Sequence, residues 1–473
     1  MKREELLAPP SYNLVSEIEK YTGDKEKLAL IWQDDKGNRR EVTYAELMKG
    51  ANKIGNAFIK SGLQKGDKLL IMMPRLIEAY MTYIAAIKAG FVVIPSSEML
   101  RKKDIEYRIG HGEVKAIVSY EPYIGQFDDI EAMESLQKFV LSERSVDGWI
   151  NLKTALETES DMLEMAKTDK EDMVFLSYTS GTTGNPKGVV HTHAWAYAHL
   201  RTSAPNWLGI EENDVVWATA SPGWQKWIWS PFLATLGSGA TGFVYHGKFE
   251  PKTYLNLLDD NKVNVLCCTP TEYRLMAKVE NLSEYNLEAL HSAVSAGEPL
   301  NREVIETFQK HFHITVRDGY GQTENTLLVG VMKGMDIRPG SMGKPTPGNH
   351  VDIVDEEGMP VRVGEVGDMP ENPEYPVPAE AKERVLHATL KVGNTDLMIS
   401  DTFPGQGHAI GSQVTIAIQI SNAEKAKEVF DKLQEGGEVI MPLQETFWSP
   451  AYGQVKDKFN IEWQVTTSTT EQK

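Results

Sequence analysis

Two spacings of apolar residues alternate along the first 120 positions. Leu47, Ala51, Ile54 and Phe58 recur at intervals of three and four, the spacing of one helical face. The tetrad TYAE at 43–46 supplies a capping box ahead of them, and Ser61-Gly62 stops the pattern. Residues 68–73 (KLLIMM) form instead a short unbroken apolar run, as a strand buried on both faces does. A second helix is expected over 75–89, then strands at 91–94 and 116–119. This βαβα order predicts a largely parallel sheet with helices on both faces. Residues 131–170 are acidic and weakly patterned, and read as connection.

The alternation resumes with strands at 173–176, 214–218 (DVVWA), 241–245 and 263–268. A helix with three tryptophans is expected over 223–229 (GWQKWIW), and another opens at 269–274 (TPTEYR) with Pro270 early. The segment SAVSAGEPL (292–300) is a small-residue strand ending in Gly-Glu-Pro, with a helix from near Asn301 and a strand at 314–317. RPGSMGKPTPG (338–348) and the hairpin VDIVDEEGMPV after it suggest a small β subdomain. Four prolines then fall within nine residues, 370–378, which is linker composition. Beyond it, strands are expected at 385–391, 395–400 and 413–420. A capped helix follows, with its cap at 421–424 (SNAE) and its apolar face at Ala426, Val429, Phe430 and Leu433. Gly436-Gly437 ends that helix, and strands at 438–442, 452–456 and 461–465 complete one βαβββ unit. The predicted fold class is α/β. A large N-terminal domain of doubly wound mixed sheets with a small β subdomain covers 1–368. A Pro-rich linker covers 369–380, and a partial βαβββ α+β domain covers 381–473.

Composition narrows the function classes. With 67 acidic against 49 basic residues the formal charge is −18. That argues against a sequence-independent nucleic-acid binder, which needs a basic footprint. It also requires that an anionic ligand be held by a local site against the overall field. The two cysteines, Cys267 and Cys268, are adjacent in an apolar run, which excludes a disulfide scaffold and fits a reducing cytoplasm. The N-terminus lacks the apolar core of a signal peptide, and no apolar run approaches the roughly 20 residues of a membrane span.

The candidate chemistry centres on YTSGTTGNPKG at 178–188. Eleven residues carry three glycines, four Ser and Thr hydroxyls and a single lysine, behind a buried strand. Glycines let the backbone approach an anion, exposed N–H groups can surround it, and Lys187 adds a mobile positive charge. A polyphosphate fits best. The Walker-type spacing is not met, because Lys187 follows Pro186 and precedes Gly188. DGYGQTEN (318–325) is another Gly-bearing loop, expected at the same sheet edge, and its Glu324 could meet Mg2+ beside a triphosphate. Trp224, after SPG, sits at a strand-to-helix junction, where open α/β sheets bind ligands.

Taken together, YTSGTTGNPKG, SPGW, TPTEYR, SAGEPL, DGYGQTEN and PGSMGKPTPG, with VDIVDEEG and GEVGD, resemble the adenylate-forming enzymes. Among these the likeness is to acyl-CoA synthetases of the acetyl and medium-chain type, over about residues 10–368. The resemblance implies an ATP-dependent ligase that converts a carboxylic acid to acyl-AMP and then to acyl-CoA, with ATP, Mg2+ and coenzyme A taking part. It implies that Thr179, Ser180, Gly181, Thr182, Thr183, Gly184 and Lys187 hold the β- and γ-phosphates, and that Thr179 and Glu324 serve Mg2+. Gly297, Glu298 and Pro299 would line the adenine, with Asp318, Gly319 and Tyr320 beside it. Gln322 and Thr323 would face the α-phosphate. Trp224, Gly297 and Gly321 would line the acyl pocket.

The family pattern then breaks. The Tyr-x-Thr-Gly-Asp segment, the hinge and the lid lysine do not follow GEVGD, so weak ATP binding and impaired turnover are expected. Instead VLHATLKVGNTDLMISD and FWSPAYGQVKDKFNIEWQV, with the helix between, resemble the vicinal-oxygen-chelate proteins (glyoxalase and bleomycin-resistance type), in their PhnB-like branch. That fold pairs two βαβββ units, and here the first strand and helix of one unit are missing. The chain therefore reads as a fusion of two truncated families, with an unpaired sheet edge that predicts self-association. His387 and Glu462 lie on strands where this superfamily often places metal ligands. A lone strand histidine is more often a core or surface residue, so no resident divalent metal is expected there. Two other readings stand beside the ligase: a non-catalytic nucleotide- and acyl-binding remnant, and a vicinal-oxygen-chelate metalloprotein or binding module with an inert N-terminal domain.

Overall fold

In a computed structural model the described residues are 3–179, 185–352, 388–392, 395–399, 416–420, 422–446, 449–458 and 462–467. The chain divides into two units, residues 1–351 and 352–473.

The first unit opens with strands Leu28–Asp34 (β1) and Arg39–Thr43 (β2) and the helix Tyr44–Lys60. Thr43 accepts from the Glu46 N–H and Glu46 reaches back, so the capping box read from TYAE is formed. Next come Lys68–Met72 (β3), the helix Ile77–Lys88, Val92–Pro95 (β4) and Val114–Tyr120 (β5). Residues 131–170 are not mere connection. They hold Gln137–Leu141 (β6), Ile150–Asn151 (β7) and the helix Leu152–Thr158. β6 is short and its apolar half is three residues, too little to signal a strand; parallel pairing with β5 makes it one. Met173–Thr179 (β8) and Lys187–Thr192 (β9) then pair antiparallel.

The remaining strands of this unit are Val215–Ala218 (β10), Thr241–His246 (β11), Val265–Cys268 (β12), Ser292–Ala296 (β13), Val316–Gly321 (β14), Leu327–Gly330 (β15) and Lys344–Pro345 (β16). Two mixed sheets result. One has the order β7-β6-β5-β3-β4-β8-β9, the other β16-β15-β14-β13-β12-β10-β11-β1-β2. Central pairings are parallel and antiparallel strands sit at the edges, as the helical crossovers require. Both sheets contribute to one core, in which Leu69, Ile71 and Val93 join Leu30, Val216 and Val294. The helix Ile77–Lys88 is buried on every side. Its Lys88 ammonium is satisfied by Glu19 at 2.5 Å and Asn52 at 2.9 Å, which is how a charge survives there. Cys267 and Cys268 are free and buried in β12, and burial pushes the Cys268 thiol up. No helix among the described residues is long and apolar enough to cross a membrane.

In the second unit Ala388–Val392 (β17) and Thr395–Ile399 (β18) form a hairpin. Ile416–Ile420 (β19), the helix Ala423–Gln434, Glu438–Gln444 (β20), Tyr452–Lys456 (β21) and Glu462–Thr467 (β22) follow. The four strands order as β19-β22-β21-β20, with β19 parallel to β22, which is the βαβββ unit expected from the pattern. Its helix packs Ala426 and Phe430 against Ala451, Val455 and Val465. The helix cap is Asn422, the second residue of SNAE, whose side chain accepts from the Lys425 N–H. The expected hairpin after 352, the proline-rich stretch and His387 lie outside the described residues.

Candidate active site

Thr179 and Lys187 are the last residue of β8 and the first of β9, and they face each other in register. The two strands thus pair antiparallel up to these two residues, one on each side of the connecting segment. Ser180, Gly181, Thr182, Thr183 and Gly184 lie outside the described residues. Lys187 is exposed. Next to Thr179, Tyr178 Oη meets His111 Nδ1 at 2.9 Å, and the Arg108 guanidinium lies 5.1 Å from the Tyr178 ring.

The Gly-bearing loops do not leave one sheet edge, as the sequence suggests. YTSGTTGNPKG belongs to the seven-stranded sheet, and the SPGW, GEP and DGYG segments belong to the nine-stranded one. Packing joins them. Ser177 Oγ on β8 donates to Gln225 Oε1 at 2.5 Å, and Gln225 directly follows Trp224. Gly223 has φ +96, and a Cβ there would stand 2.6 Å from the Ser96 backbone, just past the end of β4. Only glycine fits that approach. Trp224 is left 53% exposed, while Trp227 is buried against Tyr80 and Tyr83. The helix begins at Gln225 and runs through π-helical turns at Ile228–Ala234, where Pro231 sits.

Asp318, Gly319, Tyr320 and Gly321 are strand residues rather than loop. β14 extends four residues past Arg317, because it pairs with β13 on one side and with β15 on the other. The β13–β14 register sets Ser295 beside Asp318 and Ala296 beside Gly319, and Gly297 follows directly. Gly297 has φ +106 and open space over its α-carbon, and residues 297–299 are exposed. Glu298 accepts from Thr271 at 2.8 Å and pairs with Arg274 at 3.3 Å, which ties Gly297, Glu298 and Pro299 to the helix Pro270–Met276. Gly319 lies on the Trp207 indole, where a Cβ would come within 2.7 Å. Burial pushes Asp318 up to about 6, partly offset by N–H groups of Gly319 and Leu300. Tyr320 is raised by burial and by the charge of Glu324, and its buried hydroxyl has no hydrogen-bond partner among the described residues.

Gln322, Thr323 and Glu324 form a turn closed by Asn325. The Asn325 N–H donates to Gln322 O at 3.1 Å, and Asn325 Oδ1 accepts from the Gln322 N–H at 2.9 Å. The Trp195 indole N–H donates to Asn325 O at 2.8 Å. Neither Asn325 nor Trp195 stands out in sequence: an Asn in a turn is common, and Trp195 reads as one apolar position of a helix. Glu324 is exposed. Among the described residues no hydrogen bond or ion pair joins it to Thr179 or Lys187, and no cluster of three His, Cys, Asp or Glu forms a metal cage. Glu462, on β22, faces Lys456 in register.

Residues 19–369 match the model of the AMP-binding enzyme family, and the chain belongs to it. Residues 351–465 match the glyoxalase/bleomycin resistance protein/dioxygenase superfamily, so a domain of that type follows the first. The chain is 60% identical over 369 residues to the acyl-CoA ligase YtcI of Bacillus subtilis (strain 168), covering 78% of this chain and 69% of YtcI. It is 35% identical to the mitochondrial acyl-coenzyme A synthetase ACSM3 of Mus musculus, over 73% of this chain and 61% of that protein. It is also 35% identical to 4-hydroxybutyrate–CoA ligase 1 of Metallosphaera sedula, over 72% and 60%. The chain thus spans about three fifths of the length of the latter two. The fold matches a Brucella canis acyl-CoA synthetase with a TM-score of 0.74, at 24% identity over 97% of this chain and 84% of that one. It matches the anthranilate CoA ligase AuaEII with a TM-score of 0.72, at 22% identity over 85% and 82%.

Proposed function

We propose that the N-terminal unit binds ATP with Mg2+ and a carboxylic acid, forms an acyl-adenylate, and transfers the acyl group to coenzyme A. The observation that carries this reading is the β13–β14 edge. Gly297 at φ +106 has open space over its α-carbon and directly follows Ala296, which pairs with Gly319, so exposed backbone at this edge can be approached by a flat heterocycle. The homology to acyl-CoA ligases supports the same chemistry.

The carboxylate oxygen attacks the α-phosphorus, the bond from that phosphorus to the bridging oxygen breaks, and pyrophosphate leaves. The thiolate of coenzyme A then attacks the acyl carbon and AMP leaves. Lys187 and the 179–184 loop receive the β- and γ-phosphates. Gln322 and Thr323 meet the α-phosphate, where preorganised donors lower the barrier. Thr179 and Glu324 are hard oxygen donors of the kind Mg2+ takes together with phosphate oxygens and water, so the residues fit that ion. When bound it neutralises phosphate charge. Trp224 walls the acyl side. Where the family pattern requires a ribose-binding Asp and a lid Lys, this chain carries its second unit, so ATP is held weakly and adenylation is slow.

Carboxylate-dependent ATP–pyrophosphate exchange tests the reading across acetate, medium-chain and aromatic acids. Slow exchange is expected, falling on the order of 10²-fold in Lys187→Ala and in Glu324→Ala. Absence of both exchange and Mg–ATP binding in the unmodified chain would refute it.

A further inference from the structure

β9 carries Lys187 at its start and runs directly into the helix His193–Ser203. His191, Trp195 and His199 are spaced by four and stand on one side of this segment. Their rings form a column, with His191–Trp195 centroids 4.3 Å apart and Trp195–His199 5.0 Å apart at 14°. His199 continues it to Trp229, at 5.1 Å, on the segment that follows Trp224. The column meets the 322–326 turn at three points: the His191 side chain lies in hydrogen-bonding reach of the Thr323 backbone, and two further contacts follow. Trp195 donates to Asn325 O at 2.8 Å, and His199 Nδ1 shares a hydrogen bond with Thr326 Oγ1 at 2.6 Å.

A cavity of about 180 Å³, lined in part by Trp195, His199, Thr202 and Thr326, lies beside these contacts. Packing is open on the Thr326 side, so hydrogen bonds carry more of the turn's positioning there. The turn is stiff within itself, because Asn325 brackets Gln322 from side chain and backbone. A stiff turn on a few anchors along one side moves as one piece when an anchor is lost.

We propose that Trp195 and His199 are positioning residues. They form a strut that sets where Gln322, Thr323 and Glu324, on one sheet, stand relative to the strand that carries Lys187, on the other. The consequence for nucleotide binding rests on the function proposed above; the mechanical coupling does not.

Two measurements on the full chain separate them. Hydrogen exchange over 322–326 should rise at least tenfold in Trp195→Phe, which keeps an aromatic ring and loses the donor. It should rise likewise in Thr326→Val, which keeps shape and loses the hydroxyl. The melting temperature and exchange elsewhere should hold, and Tyr197→Phe, on the same helix, should behave as the unmodified chain. Mg–ATP affinity by calorimetry should fall severalfold in the first two variants. Unchanged exchange over 322–326 would overturn the strut, and so would exchange that rises throughout the unit with a lowered melting temperature. Raised local exchange with unchanged affinity would overturn its link to the site. If the unmodified chain binds no Mg–ATP, the proposed function fails, and the exchange data alone decide the strut.

Discussion

Burial sets the charge of three histidines here. His191 and His193 are pushed down to about 4 and His199 to about 3, all chiefly by desolvation. Unfolded, each would titrate near 6.5. Below that pH the unfolded chain takes up protons that the folded chain refuses, so stability falls as pH drops from 6.5 toward 4. Each histidine contributes up to about 1.4 kcal/mol per pH unit in that window. Asp318 runs the other way: its pKa is raised to about 6, so its contribution is present below 3.8 and is lost as pH rises through 6. Denaturant midpoints across pH 4–7 should fall on the acid side. Relative to Asp318→Asn, the unmodified chain should lose stability between pH 4 and 6; parallel curves for the two would contradict this. At this scale the sequence singled out Lys187 and Glu324 from their residue types, and Gly297 through the family resemblance. It could not mark Trp195 or Asn325, because their roles are contacts to residues 130 and 3 positions away.

Elements were legible where period and punctuation agreed. The capping box at Thr43 and Glu46 and the strands around 68–72, 215–218, 265–268 and 292–296 needed no tertiary information. β6 and the far half of β14 exist through their neighbours, since short or Gly-rich segments have no pattern to display. A second box, Thr269 with Glu272, caps the helix after β12, and Glu272 also accepts from Thr219 at the end of β10. Thr269→Ala should cost about 1 kcal/mol in the unfolding free energy of the first unit. Gly223→Ala should cost on the order of 1–3 kcal/mol, through a left-handed φ and the Ser96 backbone 2.6 Å away. Circular dichroism melts of both variants check these costs, and a neutral Gly223→Ala would remove the argument for that close approach.

At the scale of the whole molecule, the two units each organise their own core. In the second, β20 is an outer strand among the described residues, with Val439 41% and Ile440 47% exposed. An apolar edge strand is a template for pairing. Sedimentation should therefore show concentration-dependent association that Ile440→Lys reduces, and a single sharp monomer boundary at high concentration for the unmodified chain would count against it. The sequence by itself determined the α/β class, the adenylate-forming type of the first unit, the βαβββ unit and the residue types of the candidate phosphate and adenine loops, because these depend on local period, turn chemistry and ordered short motifs. The tertiary structure alone decided that the loops lie on two sheets, that Asp318 to Gly321 are strand, and that Trp195 and His199 brace the 322–326 turn. Those features arise from pairing and packing between segments distant in the chain, which no local pattern encodes.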